Sequence, residues 1–136
     1  MSKFNYEEFF IELENDLTVF AHNLPKIIYD APNAHNKILK RWTIENHKLH
    51  QIELVMNKVF SERFHFYRHG DFEINITSND IAKYYVKKDE LYLAELKKFN
   101  KQALLVETID KWMKKAERIG YEIKNAVEVL KYLNGS

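Results

Sequence analysis

No cysteine occurs in the 136 residues. That absence excludes disulfides, thiolate catalysis and cysteine-ligated zinc, and it suits a reducing compartment. Glycine and proline are nearly as scarce, with three and two copies. A strand-rich fold turns often and places these residues at its turns, so the expected class is all-α, built from a few long helices. Three scattered glycines also leave no glycine-rich phosphate loop. No apolar run approaches the ~18 residues of a membrane-spanning helix. The opening stretch MSKFNYEEFFIELEND is acidic and lacks the basic-then-apolar order of a signal peptide. The expectation is a soluble protein of the cell interior, with no membrane partner and a single helical domain over 1–136.

Charge is abundant but unevenly placed. The net charge is +1. Residues 1–31 form an acidic arm of net −4, whereas residues 32–69 carry net +4 and five of the six histidines. A basic segment beside an acidic arm permits polyanion binding without a high overall pI, although a solvated helix face has the same composition.

Periodicity organises the chain into helices. Tyr6 to Asn15 places Phe9, Phe10 and Leu13 on one stripe among acids and reads as a short helix. TVFAHNLPKIIYDAP reads as a less regular link. Its end, DAP, reads as a helix start, with Asp30 capping and Pro32 in the first turn. From there to His69 a seam runs Trp42, Glu45, Leu49, Ile52, Met56, Val59, Arg63, Phe66 in steps of three and four. A second stripe of Val55, Phe60, Phe64 and Tyr67 lies beside it.

Gly70 reads as a left-handed helix terminator, and residues 70–79 as a loop in which FEINI forms an extended segment or a short edge strand. Ser78 or Asp80 is expected to cap a short helix over Ile81 to Lys88, and Asp89 to cap the last one. That final helix, from Glu90 to Leu133, has the seam Leu105, Ile109, Trp112, Ala116, Ile119, Ile123, Ala126, Leu130, Leu133 without a stutter. The seam passes through Gly120, so this glycine reads as an ordinary helix residue costing about 1 kcal/mol. Asn134 and Gly135 end the helix. So regular a seam suggests that copies of the chain pack together through residues 80–136, although a monomeric helical bundle, or a scaffold or assembly protein that binds no DNA, would use the same seams.

Catalytic constellations are weak. His65 and His69 stand four apart and His47 and His50 three apart, but no third metal ligand is spaced to join either pair. Ser61 and His65 share a helix face that offers no oxyanion hole. No enzyme and no cofactor is expected.

The stretch VFSERFHFYRHGDFE supplies something different, cations interleaved with aromatic rings, which is what single-stranded nucleic acid needs. Arg63 is the most informative residue in it. It lies on the apolar seam, where a guanidinium must snorkel, pair with an acid, or face a strand or channel. Tyr67 and Arg68 sit near the helix end, and Lys40, Arg41 and Lys58 can extend a basic track.

These segments, in this order, resemble the UvsY family of recombination mediators from T-even-type phages. The resemblance rests on FFIELENDLTVF, YDAPNAHNKILKRW, VFSERFHFYRHGD, DIAKYYVKKDELYLAELKKFNKQALL and ERIGYEIKNAVEVLKYLNG. It implies binding of single-stranded DNA, displacement of the phage single-strand binding protein, and loading of a RecA-like, UvsX-type recombinase. It also implies action in the cytoplasm of the infected host and self-assembly into a ring of about six or seven subunits through the C-terminal region. The family's DNA-binding motif, Leu-Lys-Ala-Arg-Leu-Asp-Tyr-Tyr, places its arginine on Arg63 and its aromatic pair on Phe66 and Tyr67. Its lysine falls on Ser61 and its aspartate on His65, with Lys58 or Arg68 as candidate substitutes for the lysine.

Overall fold

The computed structural model describes residues 3–17 and 24–135, with residues 24–31 described as helical backbone alone. Four helices occur in the order α1 (Tyr6–Asp16), α2 (Leu24–His69), α3 (Asn79–Lys88) and α4 (Glu90–Leu133). No strand occurs among the described residues, so the class is all-α. The chain divides into two compact units. One comprises Met1–Trp42 with Thr108–Ser136, the other Thr43–Glu107, so α2 and α4 each contribute to both.

The first unit is closed by apolar side chains. Asn5 caps α1, its Oδ1 accepting from the Glu8 amide at 3.1 Å, and Glu7 and Glu8 complement the positive end of the helix dipole. Phe9 and Leu13 of α1 and Leu17 at its C-cap are buried, and so are Ala34 and Ile38 of α2 and Ile109, Ala116, Ile119 and Ile123 of α4. Phe10 stacks on Trp112, with ring centroids 6.0 Å apart and planes within 9°. Beyond Ile123 the seam opens. Ala126 is half-buried, whereas Leu130 and Leu133 are exposed.

The second unit closes around charge. Val86, Ala82, Ile76 and Val106 are buried, and so are the carboxylates Glu45 and Asp89. Every member of the α2 seam from Trp42 to Phe66 is buried or half-buried, the two charged positions included; Val55 in the adjoining stripe is exposed. Glu45 reaches across to α4, where the Gln102 side-chain amide donates to its Oε2 at 2.7 Å and to its backbone carbonyl at 2.9 Å.

The helix boundaries depart from expectation in places, each for a local reason. Of the link expected over 18–32, residues 18–23 lie outside the described residues, and the rest is helical: α2 begins at Leu24. Asp30 and Pro32 therefore stand inside the helix. Proline withholds a single N–H from the carbonyl four residues back, and the turns on either side keep their own bonds. Gly70 is not left-handed; among the described residues positive φ occurs at Gly135 alone, at 71°. The reason for glycine at position 70 is a close approach. Its amide donates to the Phe66 carbonyl at 2.9 Å, and a Cβ there would sit 2.7 Å from that oxygen. Ser78 occupies the N-cap position of α3 without a side-chain bond to it, and α3 starts at Asn79 rather than Ile81. Asp89 caps α4 as expected, its Oδ1 accepting from the amides of Leu91 at 2.9 Å and Tyr92 at 3.3 Å.

Candidate nucleic-acid interface

The basic-aromatic end of α2 is pinned to the junction between α3 and α4. Arg63 is paired with an acid. Its Nε donates to Asp89 Oδ2 at 2.8 Å, and the Tyr67 hydroxyl donates to the same oxygen at 2.7 Å. Asp89 is the single non-helical residue between α3 and α4, so one carboxylate caps α4 with Oδ1 and fastens α2 with Oδ2. Arg63 also lies over the Phe66 ring, 4.3 Å from its centroid.

This geometry sets the electrostatics. Burial by itself would push the Asp89 carboxyl up, but the bonds from Tyr67, Arg63 and the Tyr92 and Leu91 amides outweigh it and hold the carboxyl below its ordinary range. Burial also works against the Arg63 charge, and the Asp89 partner more than restores it, so the guanidinium stays protonated. The Tyr67 phenol is pushed up by burial and by its bond to Asp89.

Arg68 braces the loop. Its Nε donates to Asn79 Oδ1 at 2.8 Å and its Nη1 to the Ile76 carbonyl at 3.0 Å. Phe72 packs edge-on to Tyr67 (4.8 Å) and Tyr85 (5.3 Å), which fixes the middle of the same loop. In the other unit, Arg41 lies 3.7 Å over the Phe4 ring. Thus Arg41, Arg63 and Arg68 all have internal partners, and all remain half-buried rather than fully covered.

The lysines differ. Lys40, Lys58, Lys83 and Lys87 are exposed, and none forms an ion pair among the described residues. Lys83 and Lys87 stand four apart on α3 and were not foreseen as interface residues; no motif marks them, and only the fold brings Lys83 beside the α2 aromatics. The role of Asp89 toward Arg63 was also missed, although a charge on an apolar seam calls for an acid somewhere.

The histidine pairs make no centre. His65 and His69 are exposed with ring centroids 5.4 Å apart, and His50 lies 3.9 Å from Glu53. Among the described residues no three metal-ligating side chains are grouped, and no helix is long and apolar enough to cross a membrane.

The expected oligomer seam is divided by the fold. Ile109, Ala116, Ile119 and Ile123 are covered by the chain itself; Leu105, Trp112 and Ala126 are half-buried; Leu130 and Leu133 are open, together with Tyr121, Val129 and Tyr132.

Comparison with known proteins adds two findings. The family model described as recombination, repair and ssDNA binding protein UvsY matches residues 12–136. Two crystal structures of the bacteriophage T4 recombination mediator protein UvsY share the fold. That in lattice type II superposes with a TM-score of 0.78 at 15% identity, covering 98% of this chain and 100% of that one. That in lattice type IV gives 0.77 at 15% identity, covering 95% and 98%. No curated protein sequence matches the chain. At this identity the structural likeness speaks for the fold.

Proposed function

The chain belongs to the UvsY family of recombination, repair and single-stranded-DNA-binding proteins, and on that premise we propose that it is a phage recombination mediator. In this reading it binds single-stranded DNA coated by the phage single-strand binding protein and loads a RecA-like, UvsX-type recombinase onto it in the host cytoplasm. It needs no catalysis, since its work is to change which protein occupies the strand.

The observation that carries this reading is the basic-aromatic end of α2, held in place by Asp89. Single strands are bound where fixed cations meet phosphates and ring faces meet bases. Lys58, Arg63, Tyr67 and Arg68 supply the contacts in the Thr43–Glu107 unit, and Lys40 and Arg41 add to them in the other. Because their internal bonds already position the arginines, less side-chain freedom is lost on binding. Each copy offers few cations, so useful affinity calls for several copies on one strand. Copies associate through the open end of the α4 seam, at Leu130 and Leu133, with Ala126 beside them. The residues covered within the subunit set the course of the helix.

A loading assay tests the proposal. A RecA-like recombinase is added to single-stranded DNA pre-coated with single-strand binding protein, and its ATP hydrolysis is followed. The protein should shorten the lag before steady hydrolysis. An unchanged lag at every concentration of the protein, with bare DNA giving normal hydrolysis, would reject the mediator reading.

A further inference from the structure

The same stretch of α2 that carries the clamped arginine also lines a small groove with a different make-up. It is about 190 Å³ in volume and is lined by Phe60, Ser61 and Phe64 of α2 and Lys83 of α3. The rings of Phe60 and Phe64 are nearly parallel, 12° apart in plane with centroids 6.5 Å apart. Tyr92 meets Phe60 edge-on at 5.5 Å and supports it from α4. Both phenylalanines are half-buried, Ser61 and Lys83 are exposed, and Lys83 has no ion-pair partner among the described residues.

We propose that this groove is a base-stacking subsite for single-stranded DNA, with the Lys83 ammonium on the neighbouring phosphate. The inference rests on the DNA-binding reading above and names a contact which that reading lacked. Three features point to this occupant. The groove is lined by two phenylalanines whose rings are nearly parallel, and stacking on an aromatic face suits any base. A cation stands at its edge, with Lys87 one turn further along α3 and Lys58 nearby in sequence on α2; these three ammonium groups outnumber the exposed carboxylates of Glu62 and Asp80 on the same two helices, which favours a polyanion. Arg63 and Arg68, by contrast, already use their Nε donors on Asp89 and Asn79. An exposed ammonium without a partner is the freer group to release a counterion and take a phosphate. The Ser61 hydroxyl, on the same wall, can donate to a base carbonyl or a phosphate oxygen.

The test is a fluorescence-anisotropy titration of labelled oligo(dT), and of the same oligonucleotide with abasic sites, at several salt concentrations. The full chain is used as wild type, Lys83→Gln, Phe64→Leu and Lys124→Gln, the last an exposed lysine of the other unit. Circular dichroism checks that each variant is folded. Lys83→Gln should weaken oligo(dT) binding several-fold and make the salt dependence shallower by about 0.7 in log–log slope, the value of one phosphate contact. Phe64→Leu should weaken oligo(dT) binding by roughly fivefold or more, leave the slope unchanged, and have no effect on the abasic strand, because ring–base stacking is what it removes. Lys124→Gln should change neither. If wild type binds but Lys83→Gln behaves like Lys124→Gln, or Phe64→Leu weakens both strands equally, the subsite is overturned while DNA binding stands. If wild type binds neither oligonucleotide at low salt, the DNA-binding reading itself fails, and the subsite with it.

Discussion

The two units of the chain solve the same packing problem by opposite means. The unit of Met1–Trp42 and Thr108–Ser136 buries leucine, isoleucine, alanine and phenylalanine, and its ion pairs lie at the surface, as between Lys114 and Asp110. The Thr43–Glu107 unit buries two carboxylates, Asp89 taking donors from Arg63 and Tyr67 of α2 and from the first amides of α4, and Glu45 taking them from Lys48 and from Gln102 of α4. Apolar contacts are non-directional and tolerate small shifts, whereas a carboxylate with four donors fixes the groups that donate to it. The unit with buried charge is therefore the one in which side-chain positions are set most sharply, and it is the unit carrying most of the aromatic and cationic groups proposed to meet DNA.

The contrast breaks most visibly at Asp89. Asp89→Ala removes the partner of a part-buried guanidinium together with two capping bonds, and should destabilise the protein by about 4 kcal/mol in urea unfolding. The loss of amide-exchange protection should fall first on residues 79–107. Ile109→Ala should cost about 3 kcal/mol through the cavity it leaves. Its effect should fall on the first unit and be read by tryptophan fluorescence, since Trp42 and Trp112 both belong there.

Acid sharpens the comparison further. Asp89 has a lowered folded-state pKa, so its contribution is fully present above the ordinary carboxylate value of about 3.9. Below that value the unfolded chain takes up a proton that the folded one refuses. Stability then drops with pH and the contribution disappears once pH falls through the folded value. Amide protection factors in 79–107 should fall on acidification before those in 109–123, and Asp89→Asn should abolish that difference. The smallest expected change is a gain. Gly120 has nothing within 4 Å of where a Cβ would stand, so Gly120→Ala should stabilise α4 by about 1 kcal/mol, seen as a higher midpoint in thermal unfolding.

Much of this was legible in the order of residues, and the failures have physical causes. The bounds of α4 are set by Asp89 and Gly135, whose local chemistry suffices to start and stop a helix. The α2 seam was readable because burial keeps a period of three and four, even at Glu45 and Arg63. What residue 63 pairs with was not readable, since Asp89 lies 26 positions away and only tertiary packing brings it close. Gly70 was rightly read as a helix end but for the wrong reason: a steric approach to Phe66 leaves the same residue type behind as a left-handed turn does. Lys83 carried no signal in the sequence, because it joins the aromatic groove only through the docking of α3. The α4 seam showed which face is apolar but not how much of it the chain covers for itself.

Equilibrium binding to single-stranded DNA, measured at about 50 and about 200 mM salt, bears most directly on the proposed role. With four phosphate contacts per bound segment, affinity should fall roughly 50-fold between the two conditions. Absence of binding at the lower concentration, or equal affinity at both, would contradict it.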